Sequence, residues 1–384
     1  MAKGNGNRQG IRVLVIDDSA YNRRTITKML ERSPFIEVVG TAKDGEEGLR
    51  RALDLRPDLV TLDLEMPKLD GFSLLRVLMV RQPTPVLVVS SQSEGENVFK
   101  ALELGAVDFI SKPTRGISSE LETIGDELVG KVLSIKQLKL ENAQHQLDYA
   151  ASRVRDGAKW ASTAMAENAA QPRWTPGVFK FFAIGSSTGG PGAITSILRT
   201  IPADLPAAFV VAQHMPPGFT RPFAERLDKF TGLEVREAKD GDAIRPGRVL
   251  IAPGGKNLTL VRRGTKVVTA LADRVESDLY VPSVNALLSS ASKIYGGDCV
   301  AVILTGMGDD GMEGVREINK RNGFTIAESE ETSVIFGMPK KVISTGVVDR
   351  VLPLWKISDA IVGFFTPRDD SPKGAERSGA EGSP

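Results

Sequence analysis

The stretch Ile-Arg-Val-Leu-Val-Ile-Asp-Asp, residues 11–18, is an apolar run that ends in two carboxylates. An apolar, β-branched run of this length is typical of a strand that is covered on both faces of a parallel sheet. We predict that strand at Arg12–Ile16. Four similar runs follow it, at Val38–Ala42, Leu59–Leu62, Val86–Val89 and Asp108–Ile110. Residues with helical spacing separate the runs, which predicts a doubly wound α/β domain with a five-stranded parallel sheet.

A second α/β pattern occupies residues 178–365. Its candidate strands are Phe181–Ile184, Ala207–Ala212, Arg248–Ala252, Val300–Leu304, Thr325–Ala327 and Val347–Val348. Leu258–Val261 and Lys266–Ala270 flank a turn that contains Gly264, and this arrangement predicts a β-hairpin. The second half is therefore expected to be another doubly wound α/β domain, with a hairpin added.

Two segments fit neither pattern. Residues 117–177 begin with helical spacing and then become rich in Ala, Gln and Asn, which predicts an end helix and a linker. Residues 366–384 contain mainly Pro, Ser, Gly and charged residues, which predicts a disordered tail. The expected division is a first domain at 11–116, the helix and linker at 117–177, a second domain at 178–365 and the tail.

The composition excludes several classes of protein. The 384 residues include 49 Lys and Arg against 48 Asp and Glu, so the net charge of +1 gives no support to nucleic-acid binding through a basic surface. The single cysteine, Cys299, cannot form an internal disulfide or a cysteine zinc cluster. No apolar run reaches 18 residues, and the first ten residues lack an apolar stretch. We therefore expect no membrane insertion, no secretory signal and a cytoplasmic location.

Chemically active side chains follow the predicted strands of the first domain. Asp17 and Asp18 follow the first strand, Asp63 the third, Ser90 the fourth and Lys112 the fifth. The carboxyl ends of parallel strands meet at one edge of the sheet. Three carboxylates there repel one another unless a divalent cation lies among them, and oxygen ligands suit Mg²⁺. With a lysine and a hydroxyl beside it, Asp63 is a candidate carboxylate nucleophile that accepts a phosphoryl group.

A single aspartate at a strand end is most often an ordinary solvated residue, but five such residues in this order are not explained that way. The pattern resembles the receiver domain of response regulators, which has a flavodoxin-like fold. The resemblance implies that Asp63 is phosphorylated by a histidine kinase. It implies Mg²⁺ coordination by Asp18, Asp63 and the backbone carbonyl of Glu65, with Asp17 in support. It further implies that Ser90 and Lys112 contact the phosphoryl oxygens and that Phe109 is a switch aromatic.

A glycine-rich turn follows the first strand of the second domain. Residues 185–190 read Gly-Ser-Ser-Thr-Gly-Gly and lead into a helical run. Such a turn either cradles a phosphate or presents a nucleophile beside oxyanion-stabilising amides. The dinucleotide fingerprint and its acidic residue about 20 positions later are both absent. His214 follows the next strand, which favours a hydrolase.

The three members of a hydrolytic triad would come from three strand ends. Ser187 alone is more often a helix cap, His214 a loop residue and Asp310 a turn former. Their joint placement at three strand ends favours a serine, histidine and aspartate triad, because triads are recognised by role and not by chain order. Either Asp309 or Asp310 is able to orient the imidazole on this reasoning.

The motifs IGSSTGG, QHMPPGFT, IAPGG and LTGMGDDGMEG occur in this order from residue 184 onward. They resemble the chemotaxis-receptor methylesterase family, CheB. This resemblance implies Ser187 as nucleophile, His214 as base, Asp310 as orienting acid and the Met307 backbone N–H in the oxyanion hole. Asp309 stands where relatives often carry Asn. The implied reaction needs no cofactor and removes methyl esters from glutamates of methyl-accepting chemotaxis receptors, with deamidation of receptor glutamines left open.

Three other functions compete with the hydrolase. The second domain would be a catalytically silent partner-binding module if Ser187 were dispensable for signalling. A DNA-binding regulator would need a basic helix-turn-helix after the linker, and the long glycine-rich segment does not supply one. A nucleotide-binding output domain lacks the acidic residue that it would need near position 209.

Overall fold

The computed structural model describes residues 10–91, 95–112, 118–134, 174–275 and 278–366. Most of the predicted linker and nearly all of the predicted tail lie outside these residues. Within the described ranges, no helix combines the length and the apolar composition that are needed to cross a bilayer.

Strands and helices alternate through the first domain, as the sequence predicts. The elements are β1 (Ile11–Ile16), α1 (Ala20–Leu30), β2 (Ile36–Ala42), α2 (Gly45–Leu55), β3 (Leu59–Asp63), α3 (Gly71–Arg81), β4 (Val86–Ser90), α4 (Gly95–Glu103), β5 (Asp108–Ser111) and α5 (Ser118–Leu133). The strands form one parallel sheet in the order β2-β1-β3-β4-β5. This order is the flavodoxin-like arrangement, so the predicted five-stranded fold is confirmed.

The buried strands explain why the first domain folds in this way. All five residues of β3 and of β4 are buried, because helices cover both faces of the sheet. On one face, Leu128 and Val132 of α5 pack with Ile26 of α1 against the strands. Helix α5 is the end helix that the sequence predicts within residues 117–177. It belongs to the core of the first domain and not to a separate linker.

The second domain is also doubly wound. Its elements are β6 (Lys180–Ser186), α6 (Gly190–Leu198), β7 (Ala207–Gln213), α7 (Thr220–Phe230), β8 (Glu234–Glu237), β9 (Arg248–Ile251), β10 (Lys256–Arg263), β11 (Lys266–Asp273), α8 (Val284–Tyr295), β12 (Cys299–Ile303), α9 (Met312–Lys320), β13 (Phe324–Glu328), α10 (Met338–Ile343), β14 (Arg350–Leu352) and α11 (Leu354–Gly363). Seven parallel strands have the order β14-β13-β12-β6-β7-β9-β8, and β10 and β11 form a separate antiparallel hairpin. The predicted parallel sheet with an added hairpin is confirmed.

Strand β6 lies at the centre of this sheet, between β12 and β7. The chain runs outward from β6 in one direction through β7 and later returns to its other side at β12. The strand order therefore reverses beside β6. Crevices at such a reversal are where open α/β sheets bind ligands.

One predicted strand of the second domain is wrong. The strand predicted at Val347–Val348 lies instead at Arg350–Leu352, where it pairs with β13. Val347 and Val348 are partly buried against the core, so their apolar character reflects packing and not strand pairing. Edge strand β8, Glu234–Glu237, was not predicted, because three of its four residues are charged.

The two domains share an interface. Helix α4 packs on α7, where the Phe99 and Phe223 rings stack with centroids 5.2 Å apart. Arg226 forms an ion pair with Glu103 across the same contact. A single buried apolar cluster continues from one domain into the other. The interface therefore contains an apolar core with ion pairs beside it.

Candidate active site and phosphorylation site

Three carboxylates meet at the edge where β1 and β3 end. Oxygen atoms of Asp17, Asp18 and Asp63 all lie within 4.8 Å of one another. Asp17 and Asp63 are buried, whereas Asp18 is exposed. Carboxylate oxygens at this spacing are the hard ligands that Mg²⁺ prefers. The donor set thus fits the cation that the sequence suggested.

Asp63 is the most constrained of the three. Lys112 Nζ lies 2.8 Å from Asp63 Oδ1. Burial nevertheless raises the pKa of Asp63 to about 6, with Lys112 opposing the shift and Asp17 adding to it. Asp63 Oδ2 is buried without a hydrogen-bond partner in the described part of the chain. A desolvated oxygen of this kind fits a bound cation or a covalent phosphoryl group.

The other candidate receiver residues lie in or directly after strands β3, β4 and β5. The Glu65 N–H donates to Asp63 Oδ1 at 3.2 Å, which places Glu65 directly beside the Asp63 carboxylate. Ser90 is the buried last residue of β4. Phe109 is buried within β5, and its ring centroid lies 4.7 Å from that of Phe219 in the second domain. The candidate switch aromatic is thus in direct contact with the loop that follows His214.

Ser187 lies in a tight turn between β6 and α6. Its N–H donates to the Thr305 carbonyl at 3.0 Å, and its own carbonyl accepts from Gly190 N at 2.8 Å. Gly189 has a φ of +79°, and a Cβ there would lie 2.7 Å from Val334 Cβ. A glycine is therefore required for the chain to turn at this point. The turn holds Ser187 at the predicted strand end.

His214 and Asp310 form a pair across the sheet edge. His214 Nε2 lies 2.9 Å from Asp310 Oδ2, although the two residues are 96 positions apart. Among the described residues, the structure records no hydrogen bond between Ser187 Oγ and the imidazole. Bonds between nucleophile and base are often long before substrate binds. The geometry therefore contains a histidine and carboxylate pair, with Ser187 on the neighbouring strand end.

The first turn of α8 fixes the Asp310 carboxylate. Val284 N donates to Asp310 Oδ2 at 2.7 Å, and Asn285 N donates to Oδ1 at 2.9 Å. The positive end of a helix dipole stabilises a carboxylate in this position. Because the carboxylate only accepts hydrogen bonds, His214 Nε2 must carry the proton in their bond. In a neutral imidazole bonded in this way, Nδ1 is the nitrogen that has the lone pair.

Tyr280 is part of this site and was missed in the sequence. Its ring stacks on the His214 imidazole, with centroids 5.0 Å apart and planes within 7° of parallel. Its hydroxyl donates to Asp309 Oδ1 at 3.4 Å. Partial burial and the Asp309 carboxylate raise the pKa of Tyr280, so the phenol keeps its proton. A lone tyrosine in a loop carries no sequence signal that would have identified it.

Met307 lies in the loop between β12 and Asp310. The carbonyl of Gly306 accepts hydrogen bonds from Gly337 N at 3.1 Å and Met338 N at 2.8 Å. In a trans peptide the N–H points away from the preceding carbonyl. The Met307 N–H therefore points away from the start of α10.

The first domain covers part of this site. Thr188, next to Ser187, donates through Oγ1 to Asp108 Oδ2 at 2.5 Å. Lys131 of α5 lies 2.9 Å from the same carboxylate. A Cβ on Gly130 would be 3.2 Å from Met307 Cε, so α5 packs directly on the Met307 side chain. The first domain thus touches a residue on each side of the Ser187 crevice.

Comparison with known proteins agrees with both halves of this arrangement. The response regulator receiver domain family matches residues 13–121, and the CheB methylesterase family matches residues 182–361. A protein-glutamate methylesterase/protein-glutamine glutaminase of Geobacter sulfurreducens is 52% identical over 92% of this chain and 96% of its own length. One from Myxococcus xanthus is 46% identical over 92% of this chain and 97% of its own. The catalytic domain of Thermotoga maritima CheB methylesterase is 45% identical over 48% of this chain and 98% of its own, with a TM-score of 0.47.

Identity at this level extends through both domains and across almost the full length of each relative. The chain belongs to the CheB methylesterase family, in the form that carries an N-terminal response-regulator receiver domain.

Proposed function

We propose that this chain hydrolyses γ-methyl esters of glutamate side chains in chemotaxis receptors, with Ser187, His214 and Asp310 as its triad. The observation that carries the proposal is the bond between His214 and Asp310 beside the Ser187 turn. All three residues follow neighbouring strands at the reversal of strand order. The names of the relatives supply the substrate class, protein glutamate.

The acylation step uses the imidazole as general base. His214 Nδ1 takes the hydroxyl proton of Ser187 as Oγ forms a bond to the ester carbonyl carbon. The carbonyl oxygen becomes an oxyanion and accepts from the Met307 N–H and from the backbone amides of the turn after Ser187. Removal of one such donor typically slows an enzyme about 10²- to 10³-fold. The imidazolium then returns its proton to the methoxy oxygen, the C–O bond breaks and methanol leaves.

Water completes the reaction. His214 removes a proton from water, the resulting hydroxide adds to the acyl carbon, and the bond to Ser187 Oγ breaks as the serine regains a proton. The products are a glutamate carboxylate, methanol and one proton. A glutamine side chain entering the same site would release ammonia in place of methanol. The glutaminase names of the relatives support this second activity.

The receiver residues would control this chemistry through phosphorylation of Asp63. One Asp63 oxygen forms a bond to the phosphorus of a phosphohistidine kinase donor, and the donor nitrogen leaves. Bound Mg²⁺ would neutralise charge on the phosphoryl oxygens. Asp18, Asp63 and the Glu65 carbonyl would hold it, with Asp17 in support. Lys112 and Ser90 would contact the phosphoryl group.

The interface supports inhibition by the unphosphorylated receiver. The receiver, assigned to residues 11–116 and extended by α5, contacts Thr188 and Met307. It also contacts the loop after His214 through Phe109 and Phe219. Phosphorylation that moves Phe109 would weaken this contact and uncover the crevice of the catalytic domain, residues 178–365. A tenfold activation needs only about 1.4 kcal/mol of difference between the two states.

Methanol release from methylated receptor membranes tests the proposal. Wild type is compared with Ser187→Ala, each with and without Mg²⁺ and a phosphodonor, and exposed Ser344→Ala is the control substitution. Release by wild type and Ser344→Ala, raised by the phosphodonor and abolished in Ser187→Ala, is the expected result. Phosphorylation of Asp63 without any release would contradict the esterase and favour a silent output domain that signals by binding.

A further inference from the structure

Gln213 lies behind the catalytic crevice and is almost wholly buried. It is the last residue of β7 and the register partner of Ser186 on β6. Ser186 Oγ donates to Gln213 Oε1 at 2.7 Å. A Cβ on Gly190 would lie 2.1 Å from that oxygen, so only glycine at position 190 leaves room for the carboxamide.

The nitrogen of this carboxamide contacts both reacting residues. Gln213 Nε2 donates to the Ser187 carbonyl at 2.9 Å and to the His214 carbonyl at 3.0 Å. A primary amide nitrogen has two hydrogens, so both bonds form at once. A single side-chain atom therefore bridges the backbone of the candidate nucleophile and that of the candidate base, beyond the end of the pairing between β6 and β7.

The same contact orients the peptide after Ser187. The Ser187 carbonyl is held by Gly190 N from the helix and by Gln213 Nε2 from β7. In a trans peptide, the Thr188 N–H must point to the opposite side. The Thr188 N–H thus points away from both donors, and a backbone N–H that directly follows a nucleophile is a common oxyanion donor.

The geometry points to Gln213 as a positioning residue for catalysis, which holds Ser187 and His214 at their reactive separation through its two Nε2 hydrogens. This inference rests on the proposed esterase function. Gln213 acts through the two backbones and does not touch the substrate. Displacements of about 1 Å between reacting groups cost roughly 10²-fold in rate. Loss of both bonds should therefore lower kcat far more than it changes KM.

Two substitutions separate the positioning role from simple packing. Gln213→Glu keeps the size of the side chain and the acceptor for Ser186, and it loses the amide donors. Ser186→Ala removes the bond to Oε1 and leaves both Nε2 bonds in place. We expect kcat for methanol release to fall about 10- to 100-fold in Gln213→Glu and Gln213→Met, with KM within about twofold of wild type. Ser186→Ala should retain kcat within about threefold.

A spectroscopic readout shows whether the rest of the triad remains intact. The chain has only two histidines, so the imidazole proton between His214 Nε2 and Asp310 can be assigned in a His145→Gln background. We expect this signal to persist in Gln213→Glu and Gln213→Met, measured below their melting temperatures, while kcat falls. Unchanged kcat in both Gln213 variants would overturn the inference. Equal losses in Gln213→Glu and Ser186→Ala, or loss of the imidazole signal together with kcat, would also overturn it.

The wild-type and Ser187→Ala proteins are measured in the same assay. Absence of release by wild type would contradict the proposed function itself. If wild type and Gln213→Glu release methanol at the same rate, the esterase proposal stands and only the positioning role of Gln213 is rejected.

Discussion

Two adjacent aspartates at the end of β12 have opposite environments. Asp310 is buried and bonded to His214 and to the first turn of α8, whereas Asp309 is exposed and its carboxylate accepts only the Tyr280 hydroxyl among the described contacts. We expect Asp310→Asn to lower kcat by about 10³- to 10⁴-fold, because an amide disfavours the required tautomer of His214. Asp309→Asn, the matched control, should remain within about threefold of wild type in the methanol assay. A larger loss of kcat in Asp309→Asn than in Asp310→Asn would show that Asp309, and not Asp310, orients the imidazole.

Asp63 makes the stability of the chain depend on pH. Its pKa is about 6 in the folded protein against 3.8 for an ordinary aspartate, so folding favours the protonated form. The stability that protonation contributes is complete below pH 3.8 and is lost as pH rises through 6. Asp63→Asn mimics the protonated form and should raise the free energy of unfolding by about 1–3 kcal/mol at pH 8 without Mg²⁺.

Denaturation at pH 8 and pH 4 checks this expectation, with and without Mg²⁺. The extra unfolding free energy of Asp63→Asn should vanish at pH 4, because the wild-type Asp63 carboxyl is protonated in the folded protein at that pH. Added Mg²⁺ should reduce the difference in unfolding free energy between Asp63→Asn and wild type at pH 8, because wild type offers the cation one more carboxylate than the variant does. A destabilised Asp63→Asn protein at pH 8 would show that the Lys112 ion pair outweighs burial.

Single residues of the site differ in how far the sequence reveals them. Ser187, His214 and Asp310 follow strands that the apolar runs predict, so their convergence follows from the topology of a parallel sheet. Tyr280 and Gln213 were not predicted as functional. Their roles depend on which ring or carbonyl lies beside them, and no spacing in the chain encodes such a contact.

At the scale of elements, burial decides which strands the sequence reveals. The central strands are buried along nearly their whole length, and their continuous apolar runs predict them to within one or two residues. The edge strands are much less buried. One of the four residues of β8 is buried and none of the three residues of β14, and both strands contain charged residues. Pairing with a neighbouring strand defines them, and this pairing leaves little pattern in the sequence.

The packing of α4 on α7 gives a test of the interface between the domains. Arg226 pairs with Glu103 there, and an ion pair at a partly exposed site contributes up to about 1 kcal/mol. If this contact favours the inhibited state, Glu103→Gln and Arg226→Gln should each raise activity without a phosphodonor about two- to fivefold. The double variant should add little to either single one, because both remove the same interaction.

The neighbouring pair provides the control for this measurement. Lys229 and Glu96 also face each other across α4 and α7, but they are 3.8 Å apart and largely exposed. Glu96→Gln should leave the basal activity unchanged. Equal activation by Glu96→Gln would indicate a general effect of surface charge and not the specific Arg226 contact.

The whole molecule combines two sheets that are connected through buried contacts. Asp108 begins β5 of the receiver, and its carboxylate joins Lys131 of α5 to Thr188, the neighbour of Ser187. Burial opposes the charge on Lys131, but the Asp108 and Glu127 carboxylates more than offset it and raise the pKa of the lysine. The charges at the interface are thus satisfied in this arrangement. The sequence predicted both domains but not this junction, because its partners lie about 80 residues apart and across the linker.

Coupling between the two sites must be reciprocal if phosphorylation uncovers the crevice. An adduct on Ser187 that needs the open crevice then favours the same state that a phosphoryl group on Asp63 favours. A fluorophosphonate that reacts with Ser187 should therefore tighten binding of beryllofluoride and Mg²⁺, which mimic the phosphoryl group, at the receiver. If phosphorylation activates the esterase only by populating the open state, the ratio of beryllofluoride affinities with and without the adduct should equal the activation by phosphorylation. Calorimetric titration of the free and phosphonylated proteins measures this factor, and Ser187→Ala treated with the same reagent should show no change. Identical beryllofluoride affinity in both wild-type forms, together with strong activation by a phosphodonor, would mean that the receiver does not act by covering the crevice.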